Sequence, residues 1–195
     1  MSARILLCRH APHADIGHRL SGRSGPGLGT SGRALAERLA RRLAGEGLTA
    51  VHAGPQRRTR ETAAFVAEAA DLPVRIVDAL DEIDFGDWTG RDFAALDGDP
   101  AWTAWNVRRS DACPPGGERM ADAVARAARH IAATAANDDG PVAMVTHCDV
   151  IRGLVADALG LPLDNLLRFD VDPASITRLA MDHGATRVVS LNEAA

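Results

Sequence analysis

The stretch Ile5-Leu6-Leu7-Cys8-Arg9-His10 decides the fold class, because four apolar residues run directly into an arginine and a histidine. The apolar run predicts a buried strand, and the polar pair stands where that strand ends. Open α/β sheets bind their ligands at the carboxyl ends of their strands. A cation beside an imidazole at such an edge therefore predicts an anion-binding site that contains a nucleophile.

A second stretch, Met144-Val145-Thr146-His147, repeats the arrangement of an apolar strand followed by a histidine. If both strands belong to one parallel sheet, they deliver His10 and His147 to the same edge. These two histidines are the first candidates for an active site.

Strand-like and helix-like segments alternate along the whole chain, without an internal repeat or a convincing linker. Strands are predicted at 3–8, 49–53, 74–77 and 142–147, and two or three more at 167–171, 175–181 and 186–191. Helices are predicted at 30–44, 55–70, 92–107, 118–136 and 150–159, the first of them capped by Thr30. This alternation predicts a three-layer α/β/α sandwich with a mainly parallel central sheet, formed by one domain over 1–195.

Composition narrows the class of protein. The 195 residues are 46% hydrophobic and 25% charged, which is typical of a globular domain with a substantial core. The net charge of -4 argues against a general nucleic-acid binder. No apolar run approaches a membrane span, and the first residues lack the apolar region of a secretion signal. We therefore expect a cytoplasmic protein that binds neither nucleic acid nor membrane.

Several kinds of chemistry are excluded by residue type or context. All 22 basic residues are arginine, which excludes a Walker A lysine and a lysine Schiff base. The segment 27–32 matches G-x-G-x-x-G, but no strand directly precedes it and no acid ends the next strand, so it predicts a loop and a helix start. Cys8, Cys113 and Cys148 fit no zinc spacing. We expect no metal and no cofactor.

A second guanidinium is predicted near the strand-end pair. Residues 51–63 predict a strand, a turn at Gly54-Pro55 and the start of a helix. Helix N-termini favour anions, and Arg58 lies in the first turn of this helix. The neighbouring Arg57 and Arg60 are expected on a solvated face.

Five segments, in order along the chain, resemble the signature of the histidine phosphatase superfamily, which has the phosphoglycerate-mutase-like fold. They are Cys8-Arg9-His10-Ala11 (R-H-G), 51–63 (S-S-P-x-x-R-A-x-x-T-A), 80–90 (L-x-E-x-x-F-G-x-W-E-G), 115–118 (P-G-G-E) and 146–152 (H-G-x-x-I-R). Each segment alone is a weak signal. Together they span most of the chain and make the resemblance specific.

The resemblance implies a metal-independent phosphomonoester hydrolase that works through a phosphohistidine. Its substrate would be a small phosphorylated metabolite, such as α-ribazole phosphate or a broad range of esters. His10 is the implied nucleophile, and Glu82 the implied acid and base, which needs a raised pKa for that task. The implied phosphate ligands are Arg9, Arg58 and His147, and the implied substrate contacts are Ser21, Gly22 and Cys148.

The chain departs from the family pattern at three positions. Ala11 and Cys148 stand where the family has glycine, and Ile16 stands near the place of an asparagine that binds phosphate. A cofactor-dependent phosphoglycerate mutase therefore remains one alternative, and a non-catalytic phosphate-binding or regulatory protein another. A homodimer is left open. Substrate selectivity is expected from the first loop and from residues 78–116.

Other polar and aromatic residues receive less specific predictions. The acid role of Glu82 has three competitors, which are Asp81, Asp84 and Asp87. Glu118 is a candidate helix cap. Structural or surface positions are expected for the three tryptophans and for His13, His18, His52, His130 and His183.

Overall fold

A six-stranded sheet forms the centre of the protein in the computed structural model, which describes residues 3–138, 140–182 and 185–195. Its strands are β1 (Ala3–Arg9), β2 (Ala50–Ala53), β3 (Val74–Ile76), β4 (Val142–Thr146), β5 (Ile176–Asp182) and β6 (Ala185–Glu193). Their order is β3-β2-β4-β1-β5-β6. The first four are mutually parallel, whereas β5 and β6 are antiparallel to their neighbours.

Helices cover both faces of this sheet. They are α1 (Thr30–Leu43), α2 (Arg57–Ala70), α3 (Phe93–Leu96), α4 (Pro100–Val107), α5 (Met120–Asn137) and α6 (Cys148–Ala158). The helices α1 and α2 pack on one face, and α5 and α6 on the other. The predicted three-layer sandwich with a mainly parallel sheet is confirmed. Among the described helices, none combines the length and apolar character that a membrane crossing requires.

The two central strands explain how the site is assembled. Both β1 and β4 are apolar on both faces because both faces are covered by helices. Their parallel register pairs Arg9 with Thr146, so His10 and His147 follow side by side at one edge. The backbone N–H of His10 donates to the Thr146 carbonyl at 3.0 Å.

Three local predictions were wrong. Residues 163–168 form a 3₁₀-helix and no strand follows at 167–171, because Leu163 and Leu166, three residues apart, pack together into an apolar cluster. The helix predicted at 92–107 is two helices, separated at Gly98, which has a φ of +86°. Thr30 is the first helical residue of α1 rather than its cap, and Gly29 occupies the cap position.

The segment between β3 and α5 folds over the carboxyl edge of the parallel strands. Trp88 and Trp105 are its fully buried centre, with ring centroids 6.4 Å apart in an edge-on arrangement. Gly86 and Gly117 bring the two ends of the segment together, because a side chain at either position would collide with the opposite backbone. This segment therefore forms a fixed wall beside the two histidines.

Candidate active site

A cleft of about 260 Å³ lies at the strand edge that carries His10. Arg9 ends β1 and His10 follows it, the first turn of α2 supplies Arg58, and the wall segment, residues 77–119 between β3 and α5, supplies Glu82. All four side chains line the cleft. The topology thus brings together residues that are far apart in the sequence and that sequence reasoning grouped as one site.

The ring of His10 has a defined orientation. Its Nδ1 lies 2.9 Å from the carbonyl oxygen of Ala11, which accepts its proton, so that Nε2 carries the lone pair. The Nε of Arg58 donates to this Nε2 at 3.3 Å. Burial, followed by the charge of Arg58, holds the pKa of His10 well below its ordinary value. His10 is therefore a neutral imidazole at pH 7, the form that acts as a nucleophile.

Arg58 is the central cation, and only 1% of it is exposed. Its two terminal nitrogens donate to the carbonyls of Ser24 at 2.8 Å and Gly22 at 2.6 Å. Gly22 adopts a φ of +49°, and a Cβ there would lie 3.0 Å from Oγ1 of Thr89. Glycine is therefore required for the turn that aims this carbonyl at Arg58.

Glu82 has the electrostatic character of a general acid. Its side chain is buried, and Oε1 accepts a hydrogen bond from the backbone of Ile83 at 3.0 Å. Burial, with a contribution from the charge of Asp149, raises the pKa of Glu82 to about 7, although Arg58 opposes the rise. A carboxyl group with this pKa can both give and take a proton near neutrality.

The competing acids face other partners. Asp81 accepts hydrogen bonds from the side-chain amide of Gln56 at 3.0 and 3.2 Å. Asp84 accepts from the backbone of Gly86 at 2.9 Å. Of the four candidate acids, Asp81, Glu82, Asp84 and Asp87, all of them in the described part of the chain, Glu82 is the one that lines the cleft.

Two arginines fix the main chain at Glu82. Arg23 and Arg126 donate to its carbonyl oxygen at 2.9 and 3.0 Å. Glu118 joins both guanidinium groups, with contacts of 2.9 Å to each. It does not occupy the cap position of α5, which belongs to Arg119. The P-G-G-E segment thus helps to fix the backbone of the candidate acid, because its glutamate binds the two arginines that hold the Glu82 carbonyl.

His147 lies behind the cleft surface and is fully buried. Its Nδ1 accepts a hydrogen bond from Arg58 at 3.1 Å and lies 3.5 Å from Oε2 of Glu82. Burial and the charge of Arg58 lower its pKa well below the ordinary value. In the free protein His147 is therefore neutral and holds the guanidinium of Arg58.

Arg9 and Cys148 meet at one carbonyl. Arg9 donates to the backbone oxygen of Val171 at 2.6 Å, and the thiol of Cys148 lies 3.6 Å from the same oxygen. The Nε of Arg9 is buried without a hydrogen-bond partner within the described ranges. Burial raises the pKa of Cys148 to about 11, so this thiol lines the cleft in its protonated form.

The remaining cleft surface comes from the two segments expected to set selectivity. Ser21 and Gly22, the two substrate contacts that the resemblance implies in this loop, line it, and Ile16 contributes an apolar side chain. The wall segment adds Phe85, Phe93, Trp102, Asn106 and Arg109. Trp102 is thus part of the cleft and not only a packing residue. Arg109, stacked on Trp105 at 4.8 Å, makes a 2.6 Å ion pair with Asp149, a further cleft residue that sequence reasoning missed.

His13 was predicted to be a structural or surface residue, and that prediction was wrong because it lines the cleft. Its ring lies 5.5 Å from the ring of His10, centroid to centroid. Its place three residues after His10, within the same loop, was the available signal. Of the other histidines, His52 and His130 contact each other at 3.1 Å away from the cleft, His18 is exposed, and His183 is outside the described residues.

Comparison with known proteins agrees with the geometry. The family model of the histidine phosphatase superfamily (branch 1) matches residues 5–194. A bifunctional protein of Mycobacterium tuberculosis is 35% identical over 181 residues, which are 89% of this chain and 49% of that protein. This chain therefore spans about half the length of that relative.

Two further similarities involve one enzyme. The glucosyl-3-phosphoglycerate phosphatase of Mycobacterium tuberculosis is 32% identical over 176 residues, covering 83% of this chain and 78% of that protein. A solved native structure of mycobacterial glucosyl-3-phosphoglycerate phosphatase superimposes with a TM-score of 0.90, at 28% identity and with both chains fully covered.

Proposed function

Because the chain belongs to branch 1 of the histidine phosphatase superfamily, we propose that it hydrolyses a small phosphomonoester through a phosphohistidine at His10. The observation that carries the proposal is the pairing of a neutral, oriented His10 with the buried cation of Arg58, in a cleft that also holds Glu82. These three groups match the needs of phosphoryl transfer, which are a nucleophile, charge stabilisation and a proton for the leaving group.

In the first step, Nε2 of His10 attacks phosphorus, and the bond from phosphorus to the ester oxygen breaks. Glu82 gives its proton to the leaving oxygen, so the alcohol departs neutral. Arg9 and Arg58 hold the phosphoryl oxygens through their planar guanidinium groups. The free Nε of Arg9 is available for this contact, and Arg58 turns its Nε from His10 to a phosphoryl oxygen.

In the second step, the carboxylate of Glu82 takes a proton from water as the water oxygen attacks the phosphohistidine. The P–N bond breaks, inorganic phosphate leaves, and His10 returns to its neutral form. His147 contributes by holding Arg58 through its Nδ1 from behind the cleft surface, and the direct phosphate contact implied by the resemblance would need this nitrogen to leave Arg58. The two guanidinium cations at the transferred group supply the charge that a metal supplies elsewhere, so we propose that no metal is needed.

The leaving group would lie between the first loop and the wall segment. Phe93 and Trp102 offer aromatic surface there, and Asn106 and Arg109 offer polar groups. Such a surface suits a metabolite larger than a simple alkyl phosphate. Suitable candidates are α-ribazole phosphate and glucosyl-3-phosphoglycerate, beside a broad range of small esters. We also propose that the chain acts in the cytoplasm as a single catalytic domain.

The test uses p-nitrophenyl phosphate and 3-phosphoglycerate, with EDTA present, on the wild type and on His10→Ala. Hydrolysis that persists with EDTA and is lost in the variant supports the proposal. Isomerisation of 3-phosphoglycerate without hydrolysis would support a mutase instead. Equal inactivity of both proteins towards a broad panel of phosphoesters would favour a non-catalytic phosphate binder. Undiminished hydrolysis by His10→Ala would remove His10 as the nucleophile.

A further inference from the structure

One imidazole in the cleft has no role in either step of the proposed hydrolysis. His13 is 93% buried, since 7% of its surface is exposed, and it lines the cleft beside His10. The planes of the two rings are inclined at 33°, with their centroids 5.5 Å apart. His10 is thus flanked by His13 on the cleft side and by His147, at 5.1 Å, on the buried side.

The position of His13 is fixed by its backbone. Its carbonyl accepts a hydrogen bond from Ile16 at 3.2 Å, and its main chain pairs with Leu28 in an isolated bridge. The preceding residue, Pro12, lies so close to Gly32 of α1 that a side chain at that glycine would collide with it. The loop therefore holds this ring at the cleft in a defined place.

One ring nitrogen of His13 has no hydrogen-bond partner among the residues that the structure describes. This nitrogen is the buried Nδ1. Burying a polar group without a partner costs free energy, and such groups in folded proteins call for an explanation. Ile16, three residues further along the loop, offers the cleft no polar atom.

The surrounding charges indicate what the ring can bind. Arg58 and Arg9 are near enough to His13 to disfavour its protonation, whereas Asp15 favours it and His10 is a further neighbour. Burial is the largest influence and, with Arg58, lowers the pKa of His13 to about 4. The ring is therefore neutral at pH 7 and keeps one N–H donor. Beside the two guanidinium cations of Arg9 and Arg58, a ligand that accepts hydrogen bonds is bound most strongly when it is an anion.

We propose that His13 is a substrate-contacting residue, which donates its ring N–H to a phosphoryl oxygen of the ester held at His10. The proposal rests on the proposed function, because it assigns the anion to the phosphoryl group that His10 attacks. The neutral donor adds a hydrogen bond without a further positive charge. It completes the ring of donors on the side where Ile16 supplies none.

The test compares four variants with the wild type. His13→Phe keeps a planar ring without nitrogen, His13→Leu removes the ring, and His13→Gln restores a donor at a similar reach. His18→Leu is the matched control, because His18 is exposed on the same loop and does not line the cleft. The measurements are the dissociation constant for orthovanadate and for inorganic phosphate, and kcat/KM for p-nitrophenyl phosphate, with thermal unfolding as the check on folding.

We expect His13→Phe and His13→Leu to weaken orthovanadate binding and lower kcat/KM by about 10- to 100-fold, as for other hydrogen bonds to charged groups. His13→Gln should recover most of both, and His18→Leu should match the wild type. If one of the two apolar variants unfolds below the assay temperature, the other is compared with the wild type.

Unchanged orthovanadate affinity in the apolar variants would overturn the role of His13, even if hydrolysis of bulky esters fell. If the wild type hydrolyses the ester and His13→Phe and His13→Leu do so equally well, the phosphatase function is supported and the proposed role of His13 is refuted. If the wild type hydrolyses no ester but its phosphate binding depends on His13, the phosphate contact of His13 is supported and the phosphatase function is refuted. A wild type that neither binds phosphate nor hydrolyses esters would reject both.

Discussion

The substitution Glu82→Gln is expected to stabilise the protein at alkaline pH while it removes the candidate acid. The pKa of Glu82 rises from an ordinary value of 4.5 to about 7, mainly because the carboxyl group is buried. A rise of this size corresponds to about 3 kcal/mol of preference for the protonated form. Because the folded pKa lies above the unfolded one, Glu82 supports the fold fully below pH 4.5 and loses that support as the pH rises through 7.

Glutamine imitates the protonated carboxyl group at every pH. The variant should therefore exceed the wild type in free energy of unfolding by about 1 kcal/mol at pH 5 and by about 3 kcal/mol at pH 8. Urea unfolding of both proteins at half-unit steps of pH measures the difference directly. Glu68→Gln is the matched control, since Glu68 is exposed on α2 and should show no such trend.

A stability difference that stays constant with pH would refute the reasoning. A constant offset would mean that the substitution changes packing or hydrogen bonding, for example at Ile83, rather than the cost of burying a charge. A difference that shrinks towards alkaline pH would have the wrong sign, and would mean that Arg58 stabilises the carboxylate more than burial destabilises it.

Further expectations concern rates and the turn at the arginine. Glu82→Gln should lower kcat/KM for alkyl phosphates by about 10²–10⁴-fold and abolish the alkaline limb of the pH–rate profile. Asp149→Asn removes a charge that raises the pKa of Glu82, so the same limb should move to lower pH. Gly22→Ala should cost about 1–2 kcal/mol, seen in thermal unfolding, and also lower kcat/KM by displacing Arg58. Gly90→Ala, with a φ of +82° and open space around it, should share the cost in stability but keep kcat/KM.

The sequence alone predicted those parts of the structure that depend on a few neighbouring residues. A strand buried on both faces is recognisable because it is apolar at successive positions, as in β1 and β4. The parallel register then follows from two such strands in one sheet, and it places His10 beside His147. The position of Arg58 in the first turn of a helix could be predicted for a similar reason, since turns and helix starts have their own residue preferences.

The choice among neighbouring acids needed the fold. Asp81 has an extended backbone, with φ of -67° and ψ of 161°, so the side chains of Asp81 and Glu82 point in different directions. Which of them faces the cleft depends on Arg23, Arg126 and the segment behind them, which lie far away in the sequence. Only the resemblance favoured Glu82 at the sequence level.

The place of His13 in the cleft was missed for the same physical reason. A histidine in a loop rich in glycine gives no periodic pattern, and its burial results from the contact of the loop with α1. The strand wrongly predicted at 167–171 shows the converse problem. The alternation of apolar and charged residues at 167–171 is typical of a strand, but its first two residues belong to a 3₁₀-helix that packs through Leu166.

The cleft draws its reacting groups and its outer wall from separate stretches of the chain. Arg9 ends a central strand and His10 follows it directly, whereas residues of α3 and α4 line the far side of the cleft. A change of residue type within 93–107 would therefore alter the outer wall of the cleft and leave in place Ala11 and Arg58, which contact the ring of His10. The choice of ligand and the groups gathered at His10 could thus be altered separately, by substitutions in different stretches of the chain.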